Sequence, residues 1–224
     1  MLYDFHTHSF LSDGVLLPIE LIRRAVHNGY TAIAVTDHIS VSNLASVIPA
    51  LIADCELAER YWEIRALPGV ELTHVPPEVI PELAGEARRR GARLVVVHGE
   101  TLAEPVCPGT NLAAVRCPEV DILAHPGPIT AEIAELAARH GIFLELSAHV
   151  GHCLGNGAVA QAALRAGAPL LVNSDAHLPD EVLTEEYAQR VALGAGLSPD
   201  EAEAALVANP QALLERVALR AASD

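Results

Sequence analysis

Apolar and polar positions along the chain alternate on two length scales. Short runs of Val, Ile, Leu and Ala, hardly interrupted by polar residues, fall near 2–6, 31–36, 65–71, 93–98, 120–124, 142–146 and 169–174. Between them lie longer stretches whose apolar residues recur every third or fourth position, near 18–28, 43–61, 78–90, 130–140, 156–166 and 180–193, with more helix towards the end. The short runs predict strands covered on both faces, and the longer stretches predict amphipathic helices. Segment 101–118 breaks the rhythm, because Pro105, Pro108 and Pro118 leave room for at most a short helix. Local punctuation agrees with these periods. Gly29, Gly91 and Gly141 each stand between a helix and the next strand, where a left-handed residue ends a helix. Ser198 followed by Pro199 marks a helix start.

Seven strand–helix units in 224 residues average about 32 residues each, the length of a βα repeat. Successive βα units imply a parallel sheet, either closed as a barrel or open and doubly wound. No linker, charge run or low-complexity tract divides the chain, so one domain over 1–224 is expected. Apolar residues make up 51% of the chain and aromatic residues only 4%, so the core must rest on aliphatic side chains. The C-terminal helices (198–220) are apolar enough to pack on the side of the sheet or to form a dimer surface, and the sequence does not set the oligomeric state.

In either parallel architecture the chemistry gathers at the C-terminal ends of the strands. The first run ends at His6, with His8 just beyond; the second ends at Asp37 and His38, the third at Glu71, the fourth at His98 and the fifth at His125. The sixth leads to Glu145 and His149, and the seventh to Asp175 and His177. A lone residue of this kind is usually a hydrogen-bonded loop residue. Seven strands delivering His, Asp or Glu to one rim is different, because packing needs no such ring and unpaired polar groups there cost desolvation. The mixture is that of a metal site, and it offers more ligands than one ion takes, so two or three divalent ions are implied. On extended chain His6 and His8 share a face while Thr7 points away. His27 and His140, near helix C-termini, read as surface or capping residues. His74, just past Glu71, is left outside the site. His149 and His152, on the longest rim loop, read as ligands, as substrate-facing groups or as support for ligands.

Charge and composition narrow the function. A net charge of −15 disfavours long nucleic acid and anionic membranes. All 14 basic residues are Arg, so lysine nucleophiles and Schiff bases are excluded. Cys55, Cys107, Cys117 and Cys153 form no CxxC pair, no signal-peptide pattern opens the chain and no apolar run is long enough to span a bilayer. A cytoplasmic protein without membrane contact is expected.

The segments "DFHTHSFLSDG" (4–14), "VTDH" (35–38), "GVE" (69–71), "VVHG" (96–99), "AHPG" (124–127) and "SDAH" (174–177) resemble, in order, the motifs of the PHP (polymerase and histidinol phosphatase) family. The resemblance implies a distorted (β/α)7 TIM-like barrel with a trinuclear cluster of Zn, Mn or Fe at the rim. It implies that His6, His8, Glu71 and Asp175 hold one ion, and that Glu71 bridges to a second held by His98 and His125. His38 and His177 would hold the third. Some members place a further His in the loop after the first motif; here Asp13 of "SDG" is the substitute.

Members include phosphomonoesterases, phosphodiesterases and proofreading exonucleases. The expectation is hydrolysis of a small phosphate monoester by a hydroxide bridging two ions. Glu71 and Asp175 would sit at the reaction centre and His149 would assist the leaving group. Alternatives are exonuclease-like cleavage of short nucleotides, hydrolysis of a non-phosphate bond in the manner of an amidohydrolase, and a silent metal-binding protein.

Overall fold

The computed structural model describes residues 1–222. Its strands are β1 (Leu2–Asp4), β2 (Tyr30–Val35), β3 (His38–Ile39), β4 (Arg65–Leu72), β5 (Leu94–His98), β6 (Ile122–Ala124), β7 (Phe143–Ser147) and β8 (Leu170–Asn173). They pair in parallel in the order β1-β2-β4-β5-β6-β7-β8, which makes a nearly closed barrel of seven strands. The two-residue β3, absent from the sequence expectation, adds at the rim by pairing His38 with Glu71.

The helices are α1 (Pro18–His27), α2 (Leu44–Tyr61), α3 (Ile80–Arg89), α4 (Thr110–Arg116), α5 (Ala131–His140), α6 (Asn156–Ala166), α7 (Glu185–Gly194), α8 (Pro199–Glu203) and α9 (Asn209–Ala221), with a π turn over Ala204–Ala208. The helix predicted from 180 starts later, at Glu185, because the Thr184 hydroxyl accepts the Tyr187 N–H and fixes the first turn there. Among the described residues no helix is long and apolar enough to cross a membrane.

The seam between β1 and β8 decides the geometry of the rim. Low in the seam, side chains stand in for a ladder: the Phe5 N–H donates to Asn173 Oδ1 at 2.9 Å and the Ser174 N–H to Asp4 Oδ1 at 3.1 Å. Higher up the backbones meet directly. The Asp175 N–H donates to the His6 carbonyl at 2.8 Å and the His8 N–H to the Ala176 carbonyl at 2.9 Å. The first and last motifs of the chain are thus locked together at the C-terminal end.

Inside the barrel, Phe5, Ala34, Leu94, Val96 and Ile122 form one apolar layer, and a larger layer lies between strands and helices. The two-residue strand period carries the inner face from Leu94 and Val96 up to His98. Helix α9 does not merely lie against the side of the sheet. Its Leu213 and Val217 join the inner layer and plug the N-terminal end. Arg216 and Arg220 fasten the plug to buried Asp121, at 2.9 and 2.7 Å, and Arg88 of α3 donates to the same carboxylate.

Candidate metal centre

Every strand except β2 ends in, or leads directly to, a side chain of one buried cluster, and β2 reaches it through β3. Glu71 is its hub. Oε1 lies 3.2 Å from both His6 Nε2 and His98 Nδ1 and 3.7 Å from His125 Nε2; Oε2 lies 2.9 Å from His38 Nε2. The Thr73 hydroxyl donates to Oε2 at 2.7 Å and fixes the carboxylate plane. Asp175 is a second hub: Oδ1 lies 3.0 Å from His8 Nε2 and 3.6 Å from His6 Nε2, and Oδ2 lies 3.7 Å from His125 Nε2.

Asp13 sits at the edge, 3.4 Å from His177 Nε2 and 3.7 Å from His38 Nδ1. Its loop is held by Asp37, which accepts the Ser9 N–H at 2.8 Å and the Ser9 and Ser12 hydroxyls at 2.6 Å. Gly14 closes the loop where a Cβ would lie 2.3 Å from the His8 carbonyl oxygen, so no larger residue fits without displacing that strand end.

Hydrogen bonds also fix which ring nitrogen faces inward. A carbonyl oxygen only accepts, so the His177 and His149 Nδ1 atoms, 2.8 and 3.1 Å from the Asp175 carbonyl, carry protons and leave Nε2 as the lone-pair nitrogen. Glu145 does the same for His6, with Oε2 2.8 Å from Nδ1, and is itself held by Asn173 Nδ2 at 2.9 Å. The backbone bends to serve the cluster. His74, His125 and Asp175 are the non-glycine residues with left-handed φ among those described, at 52°, 25° and 56°. Such conformations cost about 1–3 kcal/mol each and persist only where surroundings impose them.

The imidazoles and carboxylates of the cluster shift one another strongly. Burial pushes Glu71 up, but His38, His98 and His6 outweigh it and hold the carboxylate well below its usual range. Burial opposes the charge on His38 too, yet Glu71 and Asp13 raise it to about 9. His8 is driven well below its ordinary value by burial and by His38 and His6, and His125 by burial and His98. Burial, with Glu71 and Glu145 nearby, lifts Asp175 to about 8.

Among the described residues, five buried ring nitrogens have no hydrogen-bond partner: His6 Nε2, both nitrogens of His8, His98 Nε2 and His125 Nδ1. Leaving such atoms unpaired costs about 1–3 kcal/mol apiece. Yet His6 Nε2 lies 3.2 Å from Glu71 Oε1 and His8 Nε2 3.0 Å from Asp175 Oδ1. These pairs are close without being aligned as hydrogen bonds. Two atoms bound to one ion at about 2.0–2.2 Å lie about 3.0–3.4 Å apart, so the residues fit a shared cation. Groups with ligand atoms mutually within 4.8 Å include His8, Asp13, His38 and His177; His6, Glu71 and His125; and His6, His8 and Asp175.

All nine residues expected to bind metal therefore lie in or beside one cluster, and His149 borders it, its ring 5.2 Å from that of His177. The sequence places Glu145 at the rim without a role, does not put His74 in the site and does not single out Glu104. His74 in fact lies at the edge, its ring 4.7 Å from that of His98, and its Nε2 is 2.9 Å from Glu104 Oε2. His152 faces the cluster with Nδ1 held by the Thr101 hydroxyl at 2.7 Å. Burial and His98 lower it to about 4, so it is neutral near pH 7. Nothing in the spacing marked Glu104, because it lies in a proline-rich loop six residues past β5.

A family model described as the PHP domain matches residues 4–104. An uncharacterized protein of Methanocaldococcus jannaschii is 45% identical over 218 residues, 97% of this chain and 100% of that one. A probable phosphatase of Shewanella sp. strain ANA-3 is 30% identical over 203 residues, 78% of this chain and 76% of the relative. The 5'-3' exoribonuclease Rnm of Salmonella typhimurium is 30% identical over 146 residues, 58% of this chain but only 45% of the enzyme. Among solved structures, the histidinol phosphate phosphatase of Lactococcus lactis, complexed with Zn, L-histidinol and phosphate, superposes with a TM-score of 0.60 at 16% identity, over 88% of this chain and 94% of that one. At that identity the likeness concerns the fold. The chain belongs to the PHP domain family of metal-dependent hydrolases, and its named relatives are phosphatases and exoribonucleases.

Proposed function

We propose that the chain hydrolyses a small phosphate monoester at this centre. The observation that carries the reading is Glu71, fully buried and faced by His6, His38, His98 and His125 within 3.7 Å. In this reading His6, His8, Glu71 and Asp175 hold one ion, Glu71 with His98 and His125 a second, and His38, His177 and Asp13 a third, the metal being Zn, Mn or Fe. Bound there, divalent ions supply an acidified water as nucleophile and positive charge opposite the phosphoryl oxygens.

The chain's own residues orient and move protons. Glu145 keeps the proton of His6 on Nδ1, and the Asp175 carbonyl keeps those of His177 and His149 on theirs. His149, half-buried at the edge, has only Nε2 left to carry a proton to the leaving oxygen.

The distribution of cations favours a small substrate. Every Arg lies on a helix, in a helix-to-strand turn or at a strand's first residue, and none lies in a loop that follows a strand. Negative charge on a substrate must therefore be met at the metal centre itself, which suits one phosphate better than a long backbone. The exoribonuclease relatives favour a second reading, cleavage at the end of a short oligonucleotide.

One experiment separates the readings. Phosphate release would be followed over a panel of metabolite monoesters, and short oligonucleotides, amides and lactones would be assayed beside it, with Mn, Zn and Fe supplied separately and elemental analysis of the protein. Expected is turnover of a monoester that Glu71→Gln or His6→Ala reduces at least about a hundredfold. Faster turnover of oligonucleotides would favour the second reading. Full activity in either variant, or turnover of amides or lactones alone, would sink the monoesterase assignment.

A further inference from the structure

The loop over residues 99–109 brings a carboxylate to the centre that the motifs do not include. Both shoulders of this loop are pinned. Glu100 Oε1 accepts the Gly109 and Asn111 N–H groups at 3.0 and 2.9 Å, the Glu100 N–H donates to Asn111 Oδ1 at 2.9 Å, and Thr101 is tied to His152. Between those anchors Glu104, its side chain 40% exposed, turns its carboxylate towards the cluster, although the chain carries a net charge of −15 and the rim already holds Asp13, Glu71 and Asp175. Oε2 lies 3.1 Å from His98 Nε2 and 2.9 Å from His74 Nε2, and Oε1 lies 3.8 Å from His152 Nε2.

The contact with His98 is the informative one. The ring is 4% exposed, its Nδ1 is hydrogen-bonded to Glu71, and its Nε2 has no hydrogen-bond partner despite the oxygen 3.1 Å away. That is the signature of His6 with Glu71 and of His8 with Asp175: a nitrogen and an oxygen close together but aimed at a common third point. A solvated loop carboxylate that merely paired with His74 would not need to approach a buried, unpartnered nitrogen. His74 reaches Glu104 from a left-handed backbone, φ 52°, so the chain bears local strain to hold this oxygen in place.

We propose that Glu104 is a ligand to a cation bound by His98 Nε2, on the side of the ring away from the Nδ1 that faces Glu71, with His74 orienting its carboxylate, so that loading the ion fastens the 99–109 loop at the rim. The inference rests on the metal-centre reading above. It makes the loop part of the site: a cation shared by His98 and Glu104 ties the 99–109 segment to the rim.

The test uses the full chain stripped of metal, then titrated calorimetrically with Mn(II) or Zn(II) alone. Amide hydrogen exchange of the 101–109 segment is followed in parallel. Expected in wild type is binding of two or three ions with slower exchange across 101–109 on loading. In Glu104→Gln one ion is expected to bind at least about tenfold more weakly, the others unchanged, with no slowing of loop exchange. Glu104→Asp should give an intermediate affinity, and the metal-free melting temperature should not move in either variant.

Unchanged ion affinities together with unchanged loop protection in Glu104→Gln would overturn this inference while leaving the metal centre standing. A wild type that binds no ion would overturn the metal-centre reading, and this inference with it.

Discussion

Glu71 and Asp121 are both fully buried carboxylates, one at each end of the barrel, and the chain treats them in opposite ways. Asp121 accepts from Arg88, Arg216 and Arg220 and from the Val95 N–H at 3.0 Å, so permanent cations with rigid forks satisfy it entirely from within. Glu71 is ringed by imidazoles that are neutral or charged according to their neighbours, and unpartnered nitrogens remain beside it. At the arginine end the carboxylate has its cations already in place, and only Arg88 Nε is left without a hydrogen-bond partner there among the described residues. The histidine end leaves donor atoms unpartnered, as a cation site does. A buried carboxylate thus reads as architecture or as a site by the kind of cation around it.

The largest expected effect breaks the two ends apart. Asp121→Asn leaves three guanidinium groups around a neutral side chain and should lower unfolding free energy by about 3–5 kcal/mol in urea titrations. The increment gained on adding Mn(II) should survive, about 2.7 kcal/mol at a hundredfold excess over the dissociation constant. Glu71→Gln should reverse the pattern and lose most of the metal-dependent increment. If Asp121→Asn lost that increment, or Glu71→Gln kept it, the division between a structural and a functional end would fail.

Much of this contrast was legible from residue spacing. That Glu71, His98 and Asp175 lie at or just beyond strand ends follows from the apolar runs before them, because a strand covered on both faces is mostly apolar until it emerges at the rim. Asp121 was not legible: it opens a strand, and its partners Arg216 and Arg220 lie about a hundred residues away on a helix whose role as a plug depends on tertiary packing. Glu104 was hidden for a similar reason, since a loop's direction is set by its anchors and not by a period. Glu145 could be placed at the rim by its strand, but its hold on His6 Nδ1 depends on the closure of β1 against β8.

Asp4 sharpens the comparison as a third buried carboxylate, in the seam, with no arginine beside it. It accepts from the Ser174 and His6 N–H groups and the Tyr30 hydroxyl, at 3.1, 3.3 and 3.4 Å. Burial raises it to about 7, the hydrogen bonds from Ser174 and His6 only partly opposing this. The folded protein therefore keeps a proton that the unfolded chain has already lost between about pH 4 and 7. Stability is lost as pH rises through that window. Asp4→Asn, which keeps an acceptor oxygen and cannot ionise, should be more stable than wild type at pH 8 by about 2–4 kcal/mol, with the difference fading towards pH 4. Urea midpoints of the metal-free proteins at both pH values measure this. A constant difference across the range would show that Asp4 does not titrate there.

A smaller effect is expected behind the ligands. Glu145→Gln retains the shape of the side chain but holds the His6 ring less firmly and lowers its basicity. Metal affinity should fall about 10- to 100-fold with little change in metal-free stability. An unfolded variant would instead assign Glu145 to the architecture, alongside Asp121.

Asp13 should give the smallest change, because it is the least enclosed of the carboxylates expected to bind metal. Its side chain is 52% exposed and its contacts to His177 and His38 are 3.4 and 3.7 Å, against full burial for Glu71. An exposed pair of this kind contributes at most about 1 kcal/mol. Asp13→Ala should therefore weaken one ion no more than about severalfold, and Asp13→His, which restores an imidazole to the loop, should strengthen it again. Calorimetric titration with Mn(II) resolves the two. If Asp13→Ala cost as much as Glu145→Gln, enclosure would not rank the ligands. The loop that Asp37 anchors would then belong with the buried hubs rather than at the edge.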